Sequence, residues 1–233
     1  MVCEKSKVTI LAVCGLTREA EIIGADGIVA VVGGGDAVGL ASKLDVPQDD
    51  ITGVISIGLG GALSPHLKVG DVVIGESVVA GPDIFPCDSK WRVLLAARVG
   101  TAHQGTITGS EIVIASAAAK AALFRASGGA LVVDMESQVA ARFAAKRGLP
   151  LAVLRVISDD ASHALPPAAL VAMQPDGGIS VGRVLWALAK NPLQLPALIR
   201  TGSHSGKAFA ELLRCRGRLG RGLSGPGLGG ADL

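Results

Sequence analysis

The sequence predicts an α/β fold: one three-layer α/β/α domain around a mixed central sheet. Three observations lead there. Short runs rich in Val and Ile alternate with Ala-rich stretches of helical period. The apolar runs are nearly continuous, as in strands covered on both faces. Glycine is abundant, with 32 residues in a chain of 233, which favours many tight turns. This length suits a single sizeable core rather than two domains.

The elements follow in order. Residues 7–15 read as a first strand that enters a helix near Thr17–Ile23. Residues 26–35 form a second strand ending in glycines, and a helix follows over Asp36–Leu44. A third strand over 51–61 also ends in glycines. A fourth extended run, 70–81, carries Gly75 at its middle, which predicts a bulge or bend. Residues 89–100 and 116–127 read as helices. Residues 129–137 begin as a strand and pass into a helix, Ser137–Arg147, closed by Gly148 and Pro150. The last strong strand is 149–160. The texture changes after Ser162. Residues 182–202 and 206–215 look like amphipathic helices, with Arg183, Lys190, Arg200 and Lys207 set among Leu, Ile, Trp and Phe. The domain is expected to occupy 1–213, with these helices from about 179, and the Gly/Arg-rich 214–233 to be a disordered tail.

Composition narrows the function classes. Apolar residues make up 49% and charged residues 18%, which excludes a disordered chain. Mean hydropathy is +0.51, yet no window approaches ~20 apolar residues free of Gly or charge, so no transmembrane helix is expected. The N-terminus makes a poor signal peptide, and a cytoplasmic protein is expected. Cys3, Cys14, Cys87 and Cys215 are scattered. That predicts reduced thiols with neither a metal site nor a disulfide framework. A net charge of +2 does not suggest nucleic acid as a partner.

Ligands of open α/β sheets sit beyond the carboxyl ends of the strands. Four places qualify: Thr17–Glu19, Gly58–Gly61, Asp134–Glu136 and Ser158–Asp160. Asp159 and Asp160 are adjacent acids at the end of a buried strand, and either a general acid or a turn cap fits them. Adjacent side chains diverge, so at most one faces a substrate. Glu136, where a strand gives way to a helix, suits a vicinal diol or a helix dipole. Glu19 suits activation of a water. Arg18 beside it, with Gly15, Gly58 and Gly60, suits an anion. The Gly-rich strand ends lack the G-x-G-x-x-G fingerprint of dinucleotide binding, although a nucleotide-binding protein stays open as a second class.

Three segments together resemble the nucleoside phosphorylase family, which includes the methylthioadenosine/adenosylhomocysteine nucleosidases. They are VVDMESQVAARFAAKRGLPLAVLRVISDDAS, ISIGLGGALSPHLKVGDVVI and ILAVCGLTREAE, in the family's order. The resemblance implies Asp159 as the acid that protonates a purine and Glu19 near the attacking nucleophile. It implies that Glu136 grips the ribose hydroxyls with Met135 against the sugar, flanked by Asp134 and Ser158. The backbone at Val113 and Ile114 is implied to line the base pocket. Leu59 stands where the nucleosidases carry Ser, and Val113 where they carry an aromatic, so a more aliphatic pocket is expected. GRVLWALAKNPLQLPALIRTG is similar to the hopanoid-associated phosphorylase branch, which implies adenine release from adenosylhopane. No cofactor is implied, only inorganic phosphate as co-substrate. The implied partners are a lipid-linked purine nucleoside, a second copy in a homo-oligomer, and a membrane face met peripherally by the basic C-terminal helices. Glu19 favours water as nucleophile. Arg18, the loop glycines and the branch favour phosphate, and the balance at this point leans to phosphate. A non-catalytic lipid-binding protein on the same fold is the remaining class.

Overall fold

The computed structural model describes residues 9–45, 50–172, 174 and 176–226. The elements run β1 (Thr9–Cys14), α1 (Thr17–Ile23), β2 (Ile28–Val32), α2 (Ala37–Leu44), β3 (Ile51–Ala62), β4 (Val72–Ala80), β5 (Asp83–Pro86) and α3 (Ser89–Val99). They continue β6 (His103–Gly109), α4 (Ala117–Ala126), β7 (Val132–Asp134), α5 (Ser137–Arg147), β8 (Leu151–Asp159), α6 (Pro167–Leu170), α7 (Val181–Lys190) and α8 (Leu195–Leu219).

The sheet is mixed, as the sequence predicts. β1 lies between β2 and β3, parallel to both. β8 pairs in parallel with β3 and antiparallel with β4. β4 runs parallel to β6, β6 parallel to β7, and β7 returns antiparallel to the end of β3. Strands β3, β8, β4, β6 and β7 therefore close on themselves. The register of β4 against β6 shifts between Gly75 and Ser77, at the bend expected there.

Helices cover both faces because the central strands β1, β3 and β8 are apolar on both sides. Along β1, Leu11 and Val13 join a core with Leu40 and Leu44 of α2 and Val139 and Phe143 of α5. Ile10, Ala12 and Cys14 face the opposite core, with Ile23 of α1, Trp91 and Leu95 of α3, and Leu212 of α8. Gly148 closes α5 with φ 64°, a left-handed residue that glycine adopts without a steric penalty.

The C-terminal expectation needs three corrections. The amphipathic stretch 182–202 is broken by Pro192, which starts a short 3-10 turn after α7. What looked like two helices split at Gly202–Gly206 is one helix, α8, which continues to Leu219. Glycine costs about 1 kcal/mol in a helix interior. Burial of Ala208, Phe209, Leu212, Cys215 and Leu219 against the sheet outweighs that. The tail expected to be disordered from 214 is instead ordered as far as Pro226, and Leu223 is buried with its carbonyl accepting the Trp91 indole N–H at 3.0 Å. Residues 227–233 lie outside the described residues. The strands β5 and β6 were not foreseen. β6 is exposed at His103 and Gln104, so its sequence lacks a continuous apolar run.

Cys14, Cys87 and Cys215 are buried free thiols, and Cys3 lies outside the described residues. No helix is long and apolar enough to cross a membrane among the described residues.

Leu219→Ala should therefore destabilise the whole domain by about 2–5 kcal/mol, the usual cost of a core cavity. Urea unfolding followed by circular dichroism measures it. A disordered tail would leave the midpoint unchanged.

Candidate active site

The closure of the sheet brings the four predicted places to one cavity of about 840 Å³. Glu19, Asp134, Glu136, Ser158 and Asp159 all line it, with Gly15, Arg18, Gly60, Val113, Ile114 and Met135. Gly58 does not. Its role is to make room: a β-carbon there would stand 2.6 Å from the Glu19 carboxyl group.

Glu19 is buried in the first turn of α1. Its Oε2 accepts the backbone N–H groups of Gly15 at 2.7 Å and Leu16 at 2.9 Å. Its Oε1 accepts that of Leu59 at 2.8 Å. Burial raises its pKa, against the opposing pull of Arg155 and of those three N–H groups. The Gly-rich loops expected to hold an anion thus spend three donors on a carboxylate of the protein itself.

Glu136 stands at the start of α5, with its carboxylate over Gly15, where a β-carbon would come 2.9 Å from Oε1. Burial pushes its pKa up to about 8. Arg155 opposes that rise, while Asp134 and Glu19 add like-charge repulsion. Near neutral pH such a carboxyl both donates and accepts, which suits two neighbouring hydroxyls.

Asp134 lines the cavity, but its carboxylate is committed elsewhere. It accepts the N–H of Glu136 at 2.9 Å, and both the N–H and the hydroxyl of Ser137 at 2.6 Å. Its Oδ2 also lies 2.9 Å from Arg155 Nε. That N–H is close enough for an ion pair without being aligned for a hydrogen bond. The expected substrate-binding role of Asp134 gives way to a structural one: it caps α5 and balances Arg155.

Asp159 and Asp160 diverge as expected. Asp159 reaches the cavity, accepting the Ser158 hydroxyl at 2.8 Å. Asp160 turns away and accepts the Ser162 N–H at 3.1 Å. A β-carbon at Gly61, beside Asp159 in the β3–β8 register, would stand 3.2 Å from Asp159 Oδ2.

Two buried charged residues beside the site were missed by sequence reasoning. Lys120 of α4 is fully buried and forms an ion pair with Asp159. Its ammonium also donates to the carbonyls of Asp160 at 2.8 Å and His163 at 3.1 Å. The available signal was its helical spacing, which puts Lys120 on the face of Leu123 and Phe124. Arg155 of β8 is fully buried, with Nη2 3.8 Å from Glu136 and hydrogen-bonded to the Ser56 hydroxyl. Burial disfavours its charge, but Asp134, Glu136 and Glu19 outweigh that and raise its pKa. Its signal was an Arg inside an apolar strand, which demands counter-ions.

The C-terminal segment closes the cavity with apolar side chains: Leu165, Leu170, Ile179, Val184, Leu198 and Phe209. It is pinned to α1, for Thr17 N–H donates to the Gly177 carbonyl at 3.1 Å and the Thr17 hydroxyl to that of Asp176 at 2.9 Å. Gly177 has φ 79°, and a β-carbon would come 2.3 Å from Val32, so only glycine fits this crossing. Arg18 stacks on the Phe209 ring at 4.3 Å. Among the described residues no group of three His, Cys, Asp or Glu could hold a metal.

Residues 44–189 match the family model of the phosphorylase superfamily. The chain belongs to that superfamily. It is a glycosidic-bond-cleaving enzyme. Among solved structures, a 5′-methylthioadenosine/S-adenosylhomocysteine nucleosidase from S. pneumoniae, in complex with a transition-state inhibitor, superposes with a TM-score of 0.63. It is 18% identical over 91% of this chain and 100% of that one. An S-adenosylhomocysteine nucleosidase from Streptococcus pyogenes gives 0.63 at 16% identity, covering 89% and 95%. The futalosine hydrolase of Helicobacter pylori gives 0.58 at 14% identity, covering 89% and 97%. These likenesses show the fold. No curated protein sequence matches the chain.

The buried carboxyls predict a pH dependence. A carboxyl whose pKa is raised on folding binds its proton more tightly in the native state. Its contribution to stability is complete below its unfolded value and is lost as pH rises through the folded one. The unfolding midpoint should fall as pH rises from about 5 to about 8, and fall less in Glu136→Gln. Thermal melts across that range check this, and parallel slopes would contradict it.

Proposed function

We propose that this enzyme cleaves the N-glycosidic bond of a purine nucleoside whose sugar carries a large apolar substituent, with adenosylhopane as the substrate. One observation carries the reading. A single cavity joins the carboxyls of Glu19, Glu136 and Asp159, from the strand ends, to a long apolar wall from the C-terminal segment. The names of the similar structures, nucleosidases and a futalosine hydrolase, support the reaction class. The aliphatic wall, in a chain with only 3% aromatic residues, supports an apolar substituent.

Water is the nucleophile this geometry favours. The N–H groups of Gly15, Leu16 and Leu59, which a phosphate would need, are taken by Glu19. Glu19 accepts a proton from the attacking water, and its burial makes it a stronger base than an ordinary carboxylate. The bond between the anomeric carbon and the purine nitrogen breaks with its electron pair moving to the base. Asp159 delivers a proton to the purine ring, so the base leaves neutral. Glu136 holds the sugar hydroxyls while positive charge develops on the ring. After the products leave, water in the cavity carries the proton from Glu19 back to Asp159, and Lys120, held by two carbonyls, positions the Asp159 carboxyl. A phosphorolytic second reading is supported by Arg18, a cation on the cavity wall in the first turn of α1. No cofactor takes part in either reading.

Adenine should be released at full rate in phosphate-free buffer, leaving a free hydroxyl at the anomeric carbon. Dependence on phosphate, with a sugar 1-phosphate as product, would replace hydrolysis by phosphorolysis. Asp159→Asn should lower kcat by about 10²–10⁴-fold with folding retained. Unchanged turnover would remove Asp159 from the mechanism. Lys120→Met should lower kcat with little change in KM and alter the pH profile of kcat, with partial recovery in Lys120→Arg.

A further inference from the structure

Cleavage makes no use of the outer side of α7. That helix has no buried residue. Leu185 is 61% exposed and Trp186 64%, and neither lines the cavity. Leu193 and Ile199, on the turn and helix that follow, are exposed as well. Several large apolar side chains exposed within one short segment mark a surface that a partner covers.

Charge identifies the partner. Residues 177–210 contain Arg183, Lys190, Arg200 and Lys207 and not one Asp or Glu, although Arg200 lies 3.8 Å from Asp160. The Lys190 ammonium lies 3.4 Å from the Trp186 ring centroid, so cation and aromatic share one patch. A second copy docked about a two-fold axis would set these cations against themselves. An anionic bilayer satisfies both features, taking Trp and Leu at the headgroup boundary and Lys and Arg at the phosphates. Meanwhile Val184 and Leu198, on the same helices, line the cavity. The helices thus lie between the cavity and whatever covers them.

We propose that α7 and the start of α8 dock the enzyme peripherally on an anionic lipid bilayer. The inference deepens the reading of a lipid-borne nucleoside by placing the site beside that substrate's source, but the docking itself needs only the surface.

The test is sedimentation of the full chain with vesicles of phosphatidylcholine, alone or with phosphatidylglycerol. Parent protein should co-sediment with the anionic vesicles and stay in solution with the neutral ones, and salt should weaken the binding. Leu185→Ser with Trp186→Ser, and separately Arg183→Glu with Lys190→Glu, should each weaken binding about ten-fold or more, with thermal midpoints like the parent's. Parent protein left in solution with both vesicles would overturn the proposal. So would equal binding to both, or variants that bind like the parent. A parent dimer that becomes monomeric in the Leu185→Ser, Trp186→Ser variant would assign the surface to a second copy and overturn it as well. Vesicle binding without any nucleoside cleavage would sink the functional reading and leave the docking intact.

Discussion

The guanidinium of Arg155 sits fully buried at the centre of β8 and faces three carboxyls, those of Asp134, Glu136 and Glu19. An isolated ion in that position would cost several kcal/mol. The surrounding structure can be understood as what that charge requires. Asp134 approaches it to 2.9 Å. The Ser56 and Ser137 hydroxyls accept from its Nη2, and the Leu59 carbonyl accepts from its Nη1 at 3.2 Å. Glu19, Asp134 and Glu136 are thereby held around one guanidinium, although Glu19 is remote in sequence from the other two. Removal of one member of such a cluster leaves another charge buried without compensation.

Backbone constraints do the rest. Glu19 and Glu136 reach the centre because Gly58 and Gly15 carry no side chain where the carboxyl groups lie. Closure of the sheet through β7, antiparallel to the end of β3, carries Asp134–Glu136 to the mouth of β3 and β8. Gly177, in a left-handed conformation against Val32, brings the apolar C-terminal segment over α1. Chemistry and apolar contact are therefore supplied by different parts of the chain to one cavity.

Much of this could be read from residues alone. The strands and the early helices announce themselves by period. The acids at Glu19, Glu136 and Asp159 follow from where strands end. Other features depend on tertiary partners. β6 is a strand because β4 and β7 flank it, not because its own residues insist. α8 runs through three glycines because one of its faces is buried. Arg155 and Lys120 could be flagged only as charges in apolar surroundings, since their counter-ions are remote in sequence. Asp134 reads from sequence as open to a substrate, but the Arg155 guanidinium and the Ser137 hydroxyl engage its carboxylate. The lean towards phosphate rested on Arg18, the loop glycines and the resemblance to one branch, and sequence alone does not reveal that the N–H groups of Gly15, Leu16 and Leu59 are engaged by Glu19.

The central claim is that one cavity couples glycosidic cleavage to recognition of an apolar substituent. The most direct measurement is kcat/KM for adenine release across adenine nucleosides that differ only in the length of an alkyl group on the sugar's 5′ carbon. Burial of a methylene contributes about 0.8 kcal/mol, so kcat/KM should rise about four-fold per methylene until the cavity is filled. A flat series, or one that falls with length, would contradict the account.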